Sequence, residues 1–281
     1  MRVIEAGLIR QRIKDEFINA NYHLNQDIKD ALSNAMQTET DERAKDILKV
    51  LTDNYKKADE GVFPICQDTG VAVVFCEIGD EINLSGINLK EIINEAVSEA
   101  YTEGFLRKSM VSDPIFSRIN TKNNTPAICH FDFVKGDKLT LYVMPKGGGS
   151  ENMSIVSMLK PADGVDGLKE LLINRIRTAG GSPCPPLVIG IGIGGNFETC
   201  ALLAKKSLLR ELNEKNPDEK LAGLEAELLE LVNQSGVGPM GLGGKTTALS
   251  VNILSMPCHI ASLPVAINIE CHAHRYKKIE I

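Results

Sequence analysis

The residues of this 281-residue chain best suited to chemistry are its seven cysteines. Cys66 in PICQDTG, Cys184 in GSPCPP and Cys271 in IECHAHR each stand beside a polar or proline-rich break in an otherwise apolar segment, which marks them as loop residues. Cys76, Cys129, Cys200 and Cys258 lie within or beside apolar runs, where cysteine serves as a small core residue. Loop thiolates can bind a soft metal, but no C-x-x-C pair occurs, so the spacing of a zinc ribbon or a ferredoxin-type cluster is missing. Spacing alone leaves a three-thiolate metal site open beside the plainer reading of reduced, unliganded thiols, and favours the latter.

Three glycine-rich stretches could face an anion. Gly147, Gly148 and Gly149 precede Ser150, Glu151 and Asn152, a sequence suited to opening a helix, where backbone N–H groups would be offered to an anion. Gly190, Gly192 and Gly195 fit G-x-G-x-x-G between an apolar strand and a helix, the context of a dinucleotide fingerprint. That reading needs a second parallel strand ending in an acid ~20 residues further on. The stretch found there, LRELNEKNPDEKLAGLEAELLEL, is charged and helical instead. Close packing or some other anion loop explains the glycines better, and a nicotinamide-dinucleotide-binding module at the Gly190 to Gly195 turn is kept as a rival function. GPMGLGGKTT approaches a P-loop, but Pro239 stands where the first glycine belongs and a helix precedes it. That loop is still able to present N–H groups to a carboxylate.

The elements that must position these residues are those of a soluble α+β protein. Hydrophobic residues make up 43% and charged ones 24%, and no apolar run reaches the ~20 residues of a membrane span. The first residues, MRVIEAGLIRQRIKDEF, carry charge in every turn and neither an apolar h-region nor a cleavage site, so a cytoplasmic location is expected, with thiols reduced. A net charge of -6 with dispersed Lys and Arg argues against nucleic acid, and the absence of Trp removes a stacking surface for bases or sugars. The expected ligand is small and polar.

Apolar positions at helical spacing predict a helical bundle over residues 1 to 59, followed by mixed, antiparallel-rich sheet packed with helices over 60 to 281, the whole forming one domain. Val71 to Ile78 reads as a buried strand, Leu89 to Leu106 as a helix, and AICHFDFVKGDKLTLYVMPKGGG as a hairpin about Lys-Gly-Asp. Strand, glycine-rich turn and helix follow from Pro185 to Arg210, a helix from Glu219 to Gln234, and a closing strand in LPVAINIECHAHR.

PICQDTG, GGGSENMS, CPP, GIGGNFE, GLGGKTTAL and PVAINIECHAHR, in this order from about residue 60 to the end, together resemble the class I, iron-sulfur-dependent fumarase family. Within it the chain is similar to the alpha subunits of two-chain fumarate hydratases and L(+)-tartrate dehydratases, because it stops where single-chain relatives continue. The resemblance implies a hydro-lyase acting on a small dicarboxylate, with a beta subunit supplying the rest of the site in an alpha2beta2 assembly. It implies an oxygen-sensitive 4Fe-4S cluster held by Cys66, Cys184 and Cys271, whose fourth iron, free of protein ligands, acts as a Lewis acid.

The resemblance also assigns roles around that cluster. Gln67 and Asp68 match a pair that contacts substrate and assists proton transfer, though Asp-Thr-Gly is equally good turn chemistry. Arg107 matches an arginine that clamps a carboxylate by a bidentate pair, with a solvated helix-end arginine as the plain alternative. Gly147, Gly148 and Gly149 would meet the carboxylate with backbone N–H groups, or else serve only to open a helix. His259 matches a histidine that bonds to substrate, where a lone His beside an apolar strand is ordinarily a core residue. His272, His274 and Arg275 would line the cluster's surroundings. A cluster-less, non-catalytic subunit is the remaining alternative.

Overall fold

In the computed structural model, which describes residues 2–281, the first region folds as a short strand β1 (Arg2–Val3) and three helices, α1 (Ala6–Tyr22), α2 (Gln26–Thr38) and α3 (Glu42–Asp59). Then come β2 (Val71–Gly79), β3 (Ile82–Asn83), α4 (Leu89–Glu103), β4 (Ile128–Val134), β5 (Leu139–Lys146) and the single turn α5 (Gly148–Glu151). The chain continues through β6 (Ile155–Leu159), α6 (Gly164–Ala179), β7 (Leu187–Gly195), α7 (Phe197–Ser207) and α8 (Glu219–Asn233). It closes with β8 (Ala248–Cys258), β9 (Leu263–Glu270) and β10 (Lys277–Glu280). Side-chain caps start the helices where the sequence offers them. Asn88 accepts from the Glu91 N–H, Asn196 from Thr199 and Asp218 from Lys220 and Leu221.

The chain divides into two compact units. The first comprises the segments up to Asn25, from Tyr55 to Gly148 and from Arg275 onward, and the second Gln26–Asn54 and Gly149–His274. The expected N-terminal helices are present, but α1 belongs to the first unit and α2 to the second.

In the first unit a four-stranded sheet runs in the order β10-β5-β2-β4. Ala72, Val74, Cys76, Leu139, Leu141 and Val143 on one face bury against Ile9, Ile13 and Phe17 of α1 and Ile93, Val97 and Tyr101 of α4. The expected hairpin of β4 and β5 does not form. β2 lies between them, parallel to β4 and antiparallel to β5. The Lys-Gly-Asp turn instead crosses the end of β2, where the Gly79 N–H reaches the Lys138 carbonyl at 3.0 Å and the Asp80 N–H the Val134 carbonyl at 2.8 Å. The physical reason is burial: VAVVFCEIG, apolar but for Glu77 and mostly buried, takes the centre, whereas Ile128–Val134 is largely exposed and takes an edge.

In the second unit the sheet order is β6-β9-β7-β8, with β7 antiparallel to β9 and parallel to β8. Leu168, Leu172 and Ile176 of α6 and Leu228 and Val232 of α8 pack on Ile189, Ile191, Val251, Ile253 and Ile267. Helix α7 covers the opposite face, and glycines make that approach feasible. A Cβ on Gly190 would stand 2.1 Å from the Ala204 carbonyl oxygen, and one on Gly192 2.0 Å from that of Cys200. These two fingerprint glycines lie inside β7 and let a helix backbone rest on the strand. No helix among the described residues is long and apolar enough to cross a membrane.

Candidate functional site

In the first unit, predicted site residues gather around one loop. The chain leaves α3, anchors Ile65 through its N–H to the Asn21 carbonyl at 2.9 Å, and turns at Cys66-Gln67-Asp68 before entering β2. Cys66 is half-buried, and its sulfur accepts the Asp68 N–H at 3.4 Å and lies 3.5 Å from Gln67 Oε1. One carboxylate oxygen of Asp68 closes an Asx turn with the Gly70 N–H at 3.0 Å, and the other takes the Gly148 N–H at 2.7 Å. The Asx turn is thus formed, and the anion that the Gly148 N–H meets is the chain's own Asp68 carboxylate. Gly147 is buried beside it. Gly70 is obligatory here, since its φ is +82° and a Cβ would stand 2.7 Å from the Lys146 nitrogen of β5.

Residues that the sequence did not single out fix this loop. Tyr101, buried on α4, offers its hydroxyl to the carbonyls of Thr69 (2.7 Å) and Gly70 (2.9 Å). Burial raises its pKa, against the lowering influence of Arg275, so it remains a donor. Asn124, also buried, donates to the Gly70 carbonyl at 3.1 Å and accepts the Ser109 N–H at 2.8 Å. Arg107 is exposed in the segment so pinned, and its carbonyl takes the Thr69 hydroxyl at 2.9 Å. Arg275 is fully buried and donates to the Asp68 carbonyl and to Asn21 Oδ1, both at 2.9 Å. It holds the loop through the backbone. Nothing local in the sequence marks Tyr101, Asn124 or Asn21 for this work, because each looks like an ordinary helix or turn residue.

In the second unit, Cys184 and Cys271 are brought to one place. Cys184 has a left-handed backbone, φ 56°, and its carbonyl accepts the His272 N–H at 3.3 Å and lies 3.1 Å from His272 Nδ1. The Cys271 N–H bonds to Glu270 Oε1 at 3.2 Å, and the same oxygen takes the Ser150 hydroxyl at 3.1 Å. Glu151 bonds to Asn268 at 3.1 Å and pairs with Lys205. The Ser-Glu-Asn motif therefore docks on the polar residues of β9, an arrangement that the alternation of INIE in the sequence hints at. Gly149 is exposed at its start. His274 points elsewhere, with Nε2 2.9 Å from the Leu208 carbonyl.

His259 is exposed in the turn between β8 and β9, where Nδ1 accepts the Ala261 N–H at 3.1 Å. In a neutral ring that acceptor role puts the proton on Nε2, which becomes the donor. An apolar groove of about 480 Å³, walled by Val165, Leu168, Leu221 and Leu263, adjoins it. The other glycine-rich loop also serves an internal carboxylate. Glu39, buried, accepts the Lys245 N–H at 2.8 Å and those of Thr40 and Asp41. Burial opposes its charge, but backbone N–H groups of Asp41, Lys245, Thr40 and Thr246 outweigh it and leave the carboxyl below its ordinary range. Among the described residues, no three His, Cys, Asp or Glu side chains converge as on a single metal ion.

Comparison with known proteins is consistent along the chain. The family profile described as Fumarate hydratase (Fumerase) matches residues 10–280. A Methanocaldococcus jannaschii protein, provisionally named an L(+)-tartrate dehydratase subunit alpha, is 46% identical over 265 residues, 92% of each chain. The L(+)-tartrate dehydratase subunit alpha of Escherichia coli K12 is 34% identical over 253 residues, 89% of this chain and 82% of that one. Shigella sonnei has a protein of that name with the same identity and coverage.

Proposed function

The chain belongs to the fumarate hydratase (Fumerase) family, and from that premise we propose that it is the alpha chain of a two-chain hydro-lyase for a small dicarboxylate, fumarate, malate or tartrate. The observation that carries this is the match from residue 10 to 280, which spans PICQDTG, GSPCPP and IECHAHR together. The partner is a beta chain, in keeping with the names of the relatives, in an alpha2beta2 assembly working in the cytoplasm.

The same reading gives the chain a 4Fe-4S cluster held by Cys66, Cys184 and Cys271. Their donor chemistry fits. All three are half-buried, unlike the fully buried Cys76 and Cys200, and the Cys66 sulfur already accepts a backbone N–H. When bound, such a cluster supplies an open iron as Lewis acid for the substrate hydroxyl and a neighbouring carboxylate.

Around it the chain's own groups orient the substrate and move its proton. Asp68, held by two backbone N–H groups, keeps its carboxylate in one orientation beside Cys66, where it can take or return a proton. Gln67, exposed next to it, offers an amide to a substrate oxygen. Arg107 provides a bidentate clamp for the carboxylate remote from the iron. Gly148 serves by fixing Asp68, with Gly147 buried beside it, and Gly149, which is exposed, donates to substrate. His259 donates from Nε2.

Purification without oxygen, with and without the beta chain, tests this. A brown protein is expected, active only with its partner and losing activity in air. Full hydratase activity from the chain alone would refute the shared site, and a saturable NADH fluorescence response would favour the nicotinamide alternative.

A further inference from the structure

Strand β4 is the open edge of the first unit's sheet, paired among the described residues only with β2. The Asp80 N–H bonds to the Val134 carbonyl, so Val134 turns its peptide groups toward β2. By alternation those of Cys129, Phe131 and Phe133 turn outward. Among the described residues, no backbone bond from outside the sheet reaches these three. The edge is apolar, with Ile128 47%, Phe131 42% and Phe133 81% exposed. It has no Pro or Lys and no bulge against β2, so of the usual devices that blunt an edge only the charge of Asp132 is present.

What fits this edge follows from its own sequence. ICHFDFV is close to self-complementary when laid antiparallel on itself. Two copies can bond only where outward residues face outward residues, which here are the odd-numbered ones. An axis at Phe131 sets Phe131 against Phe131, Cys129 against Phe133, Ile128 against Val134 and His130 against Asp132. All seven residues then pair, and each imidazole faces a carboxylate at a non-hydrogen-bonded position, where cross-strand side chains lie closest. Stacking on Phe75, ring centroids 4.8 Å apart, holds the His130 ring in place. Moving the axis to Asp132 would oppose two carboxylates, and moving it to His130 two imidazoles. Either shift also shortens the ladder.

We propose that β4 pairs antiparallel with β4 of a second copy of this chain about a two-fold axis at Phe131, joining two four-stranded sheets into one. The proposal stands independently of the reaction assigned above. Phe131→Pro removes an N–H that points away from β2, so the sheet within the chain keeps its ladder. Sedimentation velocity of the full chain at micromolar concentration should show two copies, and one for Phe131→Pro with an unchanged far-UV spectrum. In a Cys258→Ser background, oxidised Phe131→Cys should give a disulfide-linked pair, because facing Cα atoms at such a position are about 5.5 Å apart. Val134→Cys should not. A single-copy parent chain, a Phe131→Pro variant that still pairs, or cross-linking through residue 134 rather than 131 would overturn the proposal. So would loss of beta-chain binding in Phe131→Pro with self-association intact, which would assign the edge to the other subunit.

Discussion

At the scale of single residues, the candidate site's loop is held by side chains that bond to its backbone. Arg275 reaches Asp68 only through its carbonyl, and Tyr101 reaches Thr69 and Gly70 in the same way. Arg275→Met should therefore cost about 2 to 3 kcal/mol in urea unfolding, because it strips charge-assisted bonds from a buried carbonyl and from Asn21. It should also lower kcat by about tenfold or more through misplacement of Asp68. Glu39 gives a pH signature. Its carboxyl is depressed in the folded state, so its contribution is present above the unfolded value and is lost as pH falls through the folded one. Glu39→Gln should destabilise the chain at neutral pH, and the difference from the parent should shrink progressively as pH falls below the ordinary carboxyl range. The thiols separate in the same manner: burial pushes Cys129 up to about 11 and raises Cys76 and Cys200, whereas Cys258 is exposed. Iodoacetamide at neutral pH should modify Cys258 well before those three, as peptide mapping would show.

At the scale of elements, close approach rather than ligand binding explains the tempting glycines. Gly192→Ala would drive a methyl group into the Cys200 carbonyl of α7, and neither backbone can yield cheaply. Thermal unfolding should show a loss of about 3 kcal/mol or more, together with loosening of α7. The β4 to β5 connection teaches a similar lesson. A Lys-Gly-Asp turn between two alternating runs announces that the chain reverses, but not that β2 will lie between the two strands. That depends on which run is buried on both faces, a comparison across distant parts of the chain.

At the scale of the whole molecule, the first compact unit carries Cys66, Gln67, Asp68, Arg107, Gly147 and Gly148, and the second carries Gly149, Cys184, His259 and Cys271. Under the proposed function, Cys271→Ser in the chain purified without oxygen should lose the brown cluster absorbance while keeping the far-UV spectrum of the parent. Retained colour and activity of the assembled enzyme after that change would instead favour the cluster-less alternative.

The sequence by itself determined the elements and the family, since periodicity, caps and the ordered motifs are local properties of neighbouring residues. The cysteines in loops and the Asp-Thr-Gly turn were legible for the same reason. Only the tertiary structure decided that β2 divides the expected hairpin, that Gly190 and Gly192 seat a helix, and that the amides of two glycine loops reach Asp68 and Glu39. Each of these depends on which distant backbone donor or acceptor a buried group meets. Such pairings are settled by packing in three dimensions, and no short stretch of sequence encodes them.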